Sequence, residues 1–309
     1  MPYENIEDFK AYIKNQRVEN YPSSEERTAR VFCDLGYDSK DKDYFCNCAS
    51  AVIEDMRTHC WDAFLEDERV FTRDMLRALI DDNISHLSAT DAIVNYIESY
   101  SEHIYALNLS NTQSRRSRAG KEFENILELV LAGAGVFCDS QGNIGKKHFE
   151  DKGLGKLVDL VTPGVVEYEI NKTKTVLISA KTTLRERWQE VPEEMGRTAI
   201  REMYLATLDD SISANVLDTL YDSNVIVVTT KAIKENRYSN NPRILSFEEL
   251  IQQCISTGTL WNDRDYTVEL ANKAVNSIVV QIEKVDNPYK QQSLQSRLDH
   301  YQRILDSLS

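Results

Sequence analysis

Four ionisable residues in the middle of the chain have the types and spacing that phosphodiester hydrolysis requires. Asp159 and Lys181 lie in two apolar stretches, Glu194 follows the lysine by thirteen residues, and Glu124 lies upstream. Carboxylates are hard ligands suited to Mg²⁺, which activates water and offsets charge on a phosphate. A lysine beside them stabilises charge that develops at phosphorus. Because the chain has 50 acidic residues, only placement at strand ends makes this set informative.

A charged triplet, Arg185-Glu186-Arg187, begins four residues after Lys181. An isolated triplet of this kind is most often a solvated cluster of salt bridges. Arginine, however, matches O6 and N7 of guanine, and a carboxylate matches the N4 amino group of cytosine. Next to a catalytic lysine, the triplet therefore predicts a reader of two adjacent G·C pairs. A two-fold homodimer would read CC on one side and GG on the other.

These two features together resemble the CCGG branch of the PD-(D/E)XK type II restriction endonucleases. Most PD-(D/E)XK nucleases carry an acid two residues before the lysine, whereas this chain has Ser179 there. In the CCGG branch the following helix supplies that acid, and Glu194 stands at the matching position. RAGKEFE, which contains Glu124, is similar to the helix that supplies an additional carboxylate, although Val158 replaces the proline of the general motif. The resemblance covers residues 113–194 and is closest to the SsoII-like group, which reads CCNGG.

The resemblance implies a restriction-endonuclease-like fold and a Mg²⁺ cofactor held by Asp159, Glu194 and the carbonyl of Ala180. It also implies double-stranded DNA as substrate, staggered cuts before the first C, and 5′-phosphate ends. A homodimer with one active site per subunit would cut each strand once. Such an enzyme must spare its own chromosome, so the resemblance further implies a cytosine methyltransferase in the same host.

Three more residues resemble positions that contact DNA in this group. Gln113 matches a position that contacts the outer base pair from the minor groove, but a solvated glutamine is an equal alternative. Arg57 and Trp61 are four residues apart on a predicted helix and therefore share a face. In the SsoII-like group, an arginine and a tryptophan in this region hold a central base flipped out of the duplex. A tryptophan on such a helix is more often part of a core, so both interpretations of Trp61 stay open.

The elements that must position these residues follow from apolar periodicity. The first third of the chain is predicted to be helical, with a capping box at Ser23 and Glu26. Strands are predicted at 157–161, 165–170, 175–181 and 224–230. Later helices are predicted at 118–131, 193–208, 247–255, 268–280 and 288–308. This order predicts an α/β protein with a central mixed sheet flanked by helices. Residues 1–110 would form a helical DNA-contacting region, and residues 111–309 the endonuclease core with C-terminal helices.

Composition limits the function classes. A formal net charge of -14 argues against a generic nucleic-acid coat protein, so DNA binding must use a local basic surface such as Ser114 to Lys121. The polar, acidic start and the lack of long apolar runs predict a cytoplasmic protein. Six scattered cysteines favour reduced thiols. Cys46, Cys48, His59 and Cys60 could form a zinc site, but their spacing fits no finger pattern and buried thiols are favoured.

Three alternatives to a restriction enzyme remain on sequence grounds. The same chemistry would serve a structure-specific repair or resolvase nuclease. The triplet and the basic run would also serve a sequence-specific DNA-binding protein that does not cleave. In a helical interaction protein, the acids and the lysine would simply be solvated.

Overall fold

The computed structural model describes residues 3, 5–81, 86–154, 157–192, 195, 201–239 and 241–308, with backbone only for residues 186 and 187. Within these ranges the helices are α1 Ile6–Glu19, α2 Ser24–Asp34, α3 Lys42–Arg77, α4 Ala89–Gly133, α5 Gln141–Ile144, α6 Lys146–Asp151, α7 Val165–Ile170, α8 Ala214–Asp222, α9 Lys231–Arg237, α10 Phe247–Gly258, α11 Val268–Lys284 and α12 Pro288–Leu308. Short 3-10 helices lie at Tyr37–Ser39, Lys172–Lys174, Arg185–Gln189 and Asp263–Asp265.

Six described strands form a single sheet. They are β1 Asp139–Ser140, β2 Leu160–Thr162, β3 Val176–Lys181, β4 Met203–Thr207, β5 Val225–Thr229 and β6 Leu245–Ser246. Their order across the sheet follows the chain from β1 to β6. The β1–β2 and β2–β3 pairs are antiparallel, whereas β3 to β6 run parallel to one another. The predicted α/β class with a central mixed sheet is therefore confirmed.

The chain divides into two compact units, and each is discontinuous in sequence. One comprises residues 1–27 and 58–122, and the other comprises residues 28–57 and 123–309. The first unit is helical, and its core contains residues such as Phe9, Phe71 and Leu107. The second unit contains the whole sheet. The predicted division into 1–110 and 111–309 concerned where DNA contacts and chemistry lie, and it stays a prediction.

Alternating side chains of β3 face two different sides of the sheet. Leu177 belongs to a buried cluster that also contains Leu205 of β4 and Val227 of β5. Ile178 points to the other side, because successive side chains of a strand alternate, and lines a small void with Phe247 of α10. Ser179 and Lys181 therefore lie on the side of the Leu177 cluster. This alternation decides which side of the sheet carries the candidate chemistry.

The strand predicted at 165–170 is wrong, because these residues form helix α7. Val165 donates its N–H to Asp139 Oδ2 at 2.8 Å, which holds the first turn of this helix. Glu167 is fully buried, and its Oε1 accepts hydrogen bonds from the hydroxyls of Tyr266 and Tyr301. These partners lie on distant parts of the chain, so tertiary contacts override the local strand-like alternation.

The helix predicted at 193–208 is wrong in its last part, where Met203–Thr207 forms β4. All five residues of this strand are buried, and it pairs in parallel with β3 and β5. A strand that is buried on both sides has a continuous apolar run, which periodicity alone cannot distinguish from a helix. Residues 193–194 and 196–200 of the predicted helix lie outside the described residues.

The predicted helix start at Ser23 is confirmed. Ser23 Oγ accepts from the Glu26 N–H at 3.1 Å, and the Ser23 N–H donates to Glu26 Oε2 at 2.6 Å, which is a reciprocal capping box. The predicted strands at 175–181 and 224–230 and the three C-terminal helices are also present. None of the helices that the structure describes is both long and apolar enough to cross a bilayer.

Candidate active site

Asp159 is fixed by main-chain hydrogen bonds on both sides. It directly precedes β2, and its N–H donates to the Ile178 carbonyl of β3 at 2.9 Å. Its own carbonyl accepts from the Gln141 N–H at 2.9 Å. The backbone of this residue is thus part of the sheet, although the strand itself begins one residue later. The sheet therefore fixes the point from which the Asp159 side chain projects.

The side chains of Asp159 and Lys181 form an ion pair. Lys181 Nζ lies 3.0 Å from Asp159 Oδ2 and also donates to the Ala180 carbonyl at 3.1 Å. The same Oδ2 atom accepts from the Ala180 N–H at 2.6 Å. The lysine side chain is 12% exposed and that of the aspartate is 7% exposed. The structure thus brings together three of the predicted site residues around one carboxylate oxygen.

Ser179 occupies the position at which most PD-(D/E)XK nucleases carry an acid. It is fully buried, and its Oγ has no hydrogen-bond partner in the part of the chain that the structure describes. Side chains two residues apart on a strand share a face, so Ser179 lies on the same side of β3 as Lys181. An acid for this site must therefore come from outside β3.

The oxygen atoms around Lys181 match the donor type that Mg²⁺ prefers. The carboxylate of Asp159 and the main-chain carbonyl of Ala180 are both hard oxygen donors. Within the described ranges, no group of three or more histidine, cysteine or acidic side chains forms a complete metal site. Glu194, the second predicted carboxylate ligand, lies outside the described residues. Glu124 is half-buried on α4, and its predicted role stays a prediction.

The predicted reading triplet lies between two apolar anchors. Leu184 is buried in the cluster that contains Leu177, and Trp188 packs against that cluster. Between them, Arg185 is exposed and has φ 42°, in the left-handed region. The side chains of Glu186 and Arg187 lie outside the described residues. Trp188 had no predicted role, although large apolar residues on both sides of the charged triplet were a usable signal.

The residues predicted to hold a flipped base lie on helix α3. Arg57 and Trp61 are both half-buried, so Trp61 is not a fully enclosed core residue. The ring of Trp61 lies 5.5 Å from that of Phe64, centroid to centroid. Gln113, on α4, is exposed. These positions are compatible with DNA contact, and the predicted roles stay predictions.

Cations of the basic run from Ser114 to Lys121 contact the protein itself. Arg115 forms an ion pair with the buried carboxylate of Glu68, and Arg118 donates to the Pro22 carbonyl at 2.7 Å. Burial and the nearby charge of Arg27 lower the pKa of Arg118. Arg116 is exposed. The basic surface that the run offers is therefore smaller than its sequence predicts.

The six cysteines are free thiols, as the sequence predicts. Cys46 and Cys60, two members of the imagined zinc site, are buried. Burial raises the pKa of the Cys46 thiol, which disfavours the thiolate that zinc binding needs. Neither observation supports a zinc site at these residues.

Sequence comparisons relate this chain to known proteins. A family profile described as EcoRII C terminal matches residues 78–251, more than half of the chain. The type II restriction enzyme SsoII of Shigella sonnei is 52% identical over 293 residues, which cover 94% of this chain and 96% of that protein. The similarity therefore extends through both compact units.

Solved structures give the same result. Metal-depleted Ecl18kI in complex with uncleaved, modified DNA matches with a TM-score of 0.90 and 50% identity, covering 96% of this chain and 99% of that one. The complex of restriction endonuclease PspGI with substrate DNA matches with a TM-score of 0.57, covering 77% of this chain and 94% of that one. Because PspGI is only 16% identical, it is evidence for the fold alone.

Proposed function

Because this chain belongs to the EcoRII C-terminal family and, within it, to the SsoII-like type II restriction enzymes, it is a site-specific deoxyribonuclease, and we propose that it cuts double-stranded DNA at a CC(N)GG-type palindrome with Mg²⁺. The proposed cut lies before the first C and leaves staggered 5′-phosphate ends. The observation that carries this proposal is the Asp159–Lys181 pair at the end of β3. Lys181 lies four residues before the start of the charged triplet.

The proposed chemistry assigns separate tasks to the site residues. Asp159, Glu194 and the Ala180 carbonyl would hold Mg²⁺, and Glu124 would contribute a further carboxylate nearby. When bound, this ion lowers the pKa of water and offsets charge on the scissile phosphate. Lys181 places its ammonium group within 3.0 Å of Asp159 and would stabilise negative charge on the phosphate as water attacks. The contacts of Lys181 Nζ with Asp159 Oδ2 and the Ala180 carbonyl support this role.

The proposed readout uses the triplet that follows this lysine. Arg185 and Arg187 would each donate two hydrogen bonds to a guanine, and Glu186 would accept from the amino groups of the two cytosines. The anchors Leu184 and Trp188 support this role, because they hold the segment on the body of the protein. Two such readers in a two-fold homodimer would read the two halves of the palindrome.

A central base pair between CC and GG creates a register problem for two readers spaced for contiguous pairs. Flipping both central bases would let the flanking pairs close up, at an unstacking cost of a few kcal/mol that stacking in a pocket can offset. We assign the pocket to Arg57 and Trp61, and the outer minor-groove contact to Gln113. The partial exposure of Trp61 supports its availability for stacking.

Trp61→Ala should weaken binding to specific DNA more than binding to random DNA.

The proposed setting is the cytoplasm of a host that also carries a cytosine methyltransferase. A methyl group on C5 or N4 of cytosine would crowd the proposed Glu186 contact in the major groove. Cleavage of methylated and plain duplexes should therefore differ strongly. Equal rates would argue against Glu186 as a reader of cytosine.

Plasmid cleavage tests the proposed function against its alternatives. Wild-type protein and Mg²⁺ are incubated with a plasmid that carries CCNGG sites and with a matched plasmid in which each site has one altered G·C pair. Discrete fragments from the first plasmid alone would support restriction at this site. Cuts that depend on branched junctions would instead indicate a resolvase, and retarded but intact DNA would indicate a binding protein.

The reader itself is tested by Arg185→Ala. Loss of one bidentate guanine contact should cost about 1–3 kcal/mol of specific binding. Binding to random DNA should change much less. Equal losses on both DNAs would show that Arg185 contacts phosphates instead of bases.

A further inference from the structure

Asp209 is a carboxylate at the same edge of the sheet as Lys181. It lies two residues after β4 ends at Thr207, and the parallel register places Thr207 opposite Lys181. The Asp209 N–H donates to Thr207 Oγ1 at 3.2 Å, which closes the turn that leaves the strand. Nothing in the sequence pattern distinguished this acid from the many others. Its position on the neighbouring strand links it to the segment that follows the lysine.

The Asp209 carboxylate joins two segments of the chain. Its Oδ2 accepts from the Leu184 N–H at 2.9 Å, and its Oδ1 accepts from the N–H and the hydroxyl of Ser211 at 3.1 and 2.9 Å. Burial alone would raise the pKa of Asp209. The Leu184 and Ser211 donors and the charge of Arg185 outweigh that effect, so the pKa is lowered. Asp209 is thus an ionised group bonded directly to the residue before the triplet.

Arg185 needs such a support, because its backbone conformation is unfavourable. Its φ of 42° lies in the left-handed region, which side chains other than glycine rarely adopt. Such residues cost on the order of 1–3 kcal/mol and persist only where their surroundings hold them. Leu184 is held twice, by its buried side chain and by its N–H bond to Asp209. The electrostatic attraction between Arg185 and Asp209 favours the same arrangement.

We propose that Asp209 is a positioning residue that fixes the direction of Arg185 and so sets base specificity from the strand next to Lys181. The proposal rests on the reading role given above to Arg185. A bidentate contact with guanine requires placement within about 0.5 Å, so small rotations of the Leu184–Arg185 segment are sufficient to lose it. The β3–β4 register pairs Lys181 with Thr207, and Asp209 follows two residues later. The catalytic lysine and the support of Arg185 therefore lie at the same ends of two neighbouring strands.

A purely structural role for Asp209 is the competing explanation. An aspartate two residues before a serine often closes a local turn by itself, and the bonds to Ser211 have this form. Such a role predicts the same loss of activity on every DNA. A positioning role predicts that the enzyme loses discrimination between the correct site and an altered site.

Cleavage rates of the full-length enzyme on two duplexes separate these explanations. One duplex carries CCNGG, and the other has one G·C pair of that site replaced. The variants are Asp209→Ala and Asp209→Asn, with Asp210→Ala as control. Asp210 is the adjacent acid, and its ion pair with Arg237 lies on the exposed surface at 3.4 Å. A second control, Ser211→Ala, removes only a side-chain partner of the other carboxylate oxygen.

We expect Asp209→Ala to lower the ratio of correct to altered cleavage by about 10-fold to 100-fold, equivalent to one guanine contact. Asp209→Asn should lie between Asp209→Ala and wild type, because its amide oxygen still accepts from Leu184 but lacks the charge. Both controls should retain the wild-type ratio.

An unchanged ratio, or equal losses on both duplexes, would overturn the inference. If circular dichroism shows that Asp209→Ala does not fold, the ratio for Asp209→Asn decides: a reduced value supports the inference, and the wild-type value overturns it. A wild-type enzyme that cuts both duplexes equally would instead contradict the proposed function.

Discussion

Two carboxylate–cation pairs of the second compact unit have similar chemistry and different surroundings. Asp139 and Arg297 lie 2.6 Å apart, and each side chain is 4% exposed. Asp139 also accepts from the Val165 N–H and the Gln281 amide, so several donors surround both of its oxygens. Arg297 donates to Asp139 through two nitrogens of its planar fork. This pair ties β1 to α7, α11 and α12.

The pair of Asp159 and Lys181 differs in its cation and its access. Its cation is a lysine, a compact charge on a flexible stem, and its atoms lie 3.0 Å apart. The side-chain hydrogen bonds described for Asp159 converge on Oδ2, and the lysine retains some exposure. A buried ion pair is therefore weak evidence for a site by itself. Strand-end placement and remaining access distinguish a pair available for chemistry from one that ties elements together.

Lys181→Ala is the first test of this distinction. The substitution should lower the rate of DNA cleavage by about 10³-fold or more, because it removes charge stabilisation at the phosphate. The melting temperature should fall less than in Arg297→Met, because the Lys181 side chain is more exposed than that of Arg297, so water can reach the site. Cleavage assays and thermal denaturation measure the two effects. Lys174→Ala is a matched control, because Lys174 lies outside the site and pairs with Asp265, with 3.3 Å between Nζ and Oδ1. Similar activity of both variants would reject the assignment.

Arg297→Met should have the opposite profile. It leaves the carboxylate of Asp139 buried without its main cation, which costs about 3–5 kcal/mol. The melting temperature should therefore fall by roughly 10 °C. The folded fraction, assayed well below the melting temperature, should cleave DNA at nearly the wild-type rate. A variant with wild-type stability would contradict the anchoring role of this pair.

Gly164→Ala tests the packing around the anchoring pair. Gly164 has extended backbone angles, so alanine meets no backbone penalty there. A Cβ atom would nevertheless lie 2.0 Å from Arg297 Nη2 and 2.7 Å from Asp139 Oδ2. Overpacking of this kind should destabilise the protein by about 1–3 kcal/mol, measured by denaturant unfolding. Gly258→Ala is the control, since its Cβ would meet nothing within 4 Å; equal effects would contradict the close packing.

Acid titration should reveal the anchoring pair through a smaller effect. Burial alone would raise the pKa of Asp139, but Arg297 and the other donors lower it overall. A carboxyl group with a lowered folded-state pKa adds stability that is present above its unfolded pKa of about 3.9 and is lost at lower pH. Melting temperatures measured from neutral pH to pH ~3 should therefore fall more steeply in wild type than in Asp139→Asn. Parallel curves would indicate that Asp139 does not titrate as described.

The sequence was sufficient where local pattern and structure agree. The strand that ends at Lys181 and the placement of Asp159 beside it followed from apolar runs and from the pairing of neighbouring strands. Helix α7 could not be predicted in this way. Its Glu167 is stabilised inside the protein by Tyr266 and Tyr301, which lie more than ninety residues further along the chain.

The candidate site shows the same limit. The catalytic lysine and the charged triplet could be predicted, because residue type and spacing identify them. The support of the triplet could not be predicted, because it depends on the Leu184 and Ser211 N–H groups that donate to Asp209 in the folded protein. Trp188 was likewise visible as a residue, but its packing against the Leu177 cluster depends on the folded sheet.

The two apolar anchors have a consequence for engineering. Leu184 and Trp188 pack in the Leu177 cluster on either side of residues 185–187, of which Arg185 is exposed. The side chains of these three residues can therefore be varied while the two anchors and the hydrophobic core remain unchanged. Combinatorial libraries limited to residues 185–187 should therefore contain many folded proteins where the residue at position 185 tolerates its left-handed backbone, and selection from them would act mainly on sequence preference.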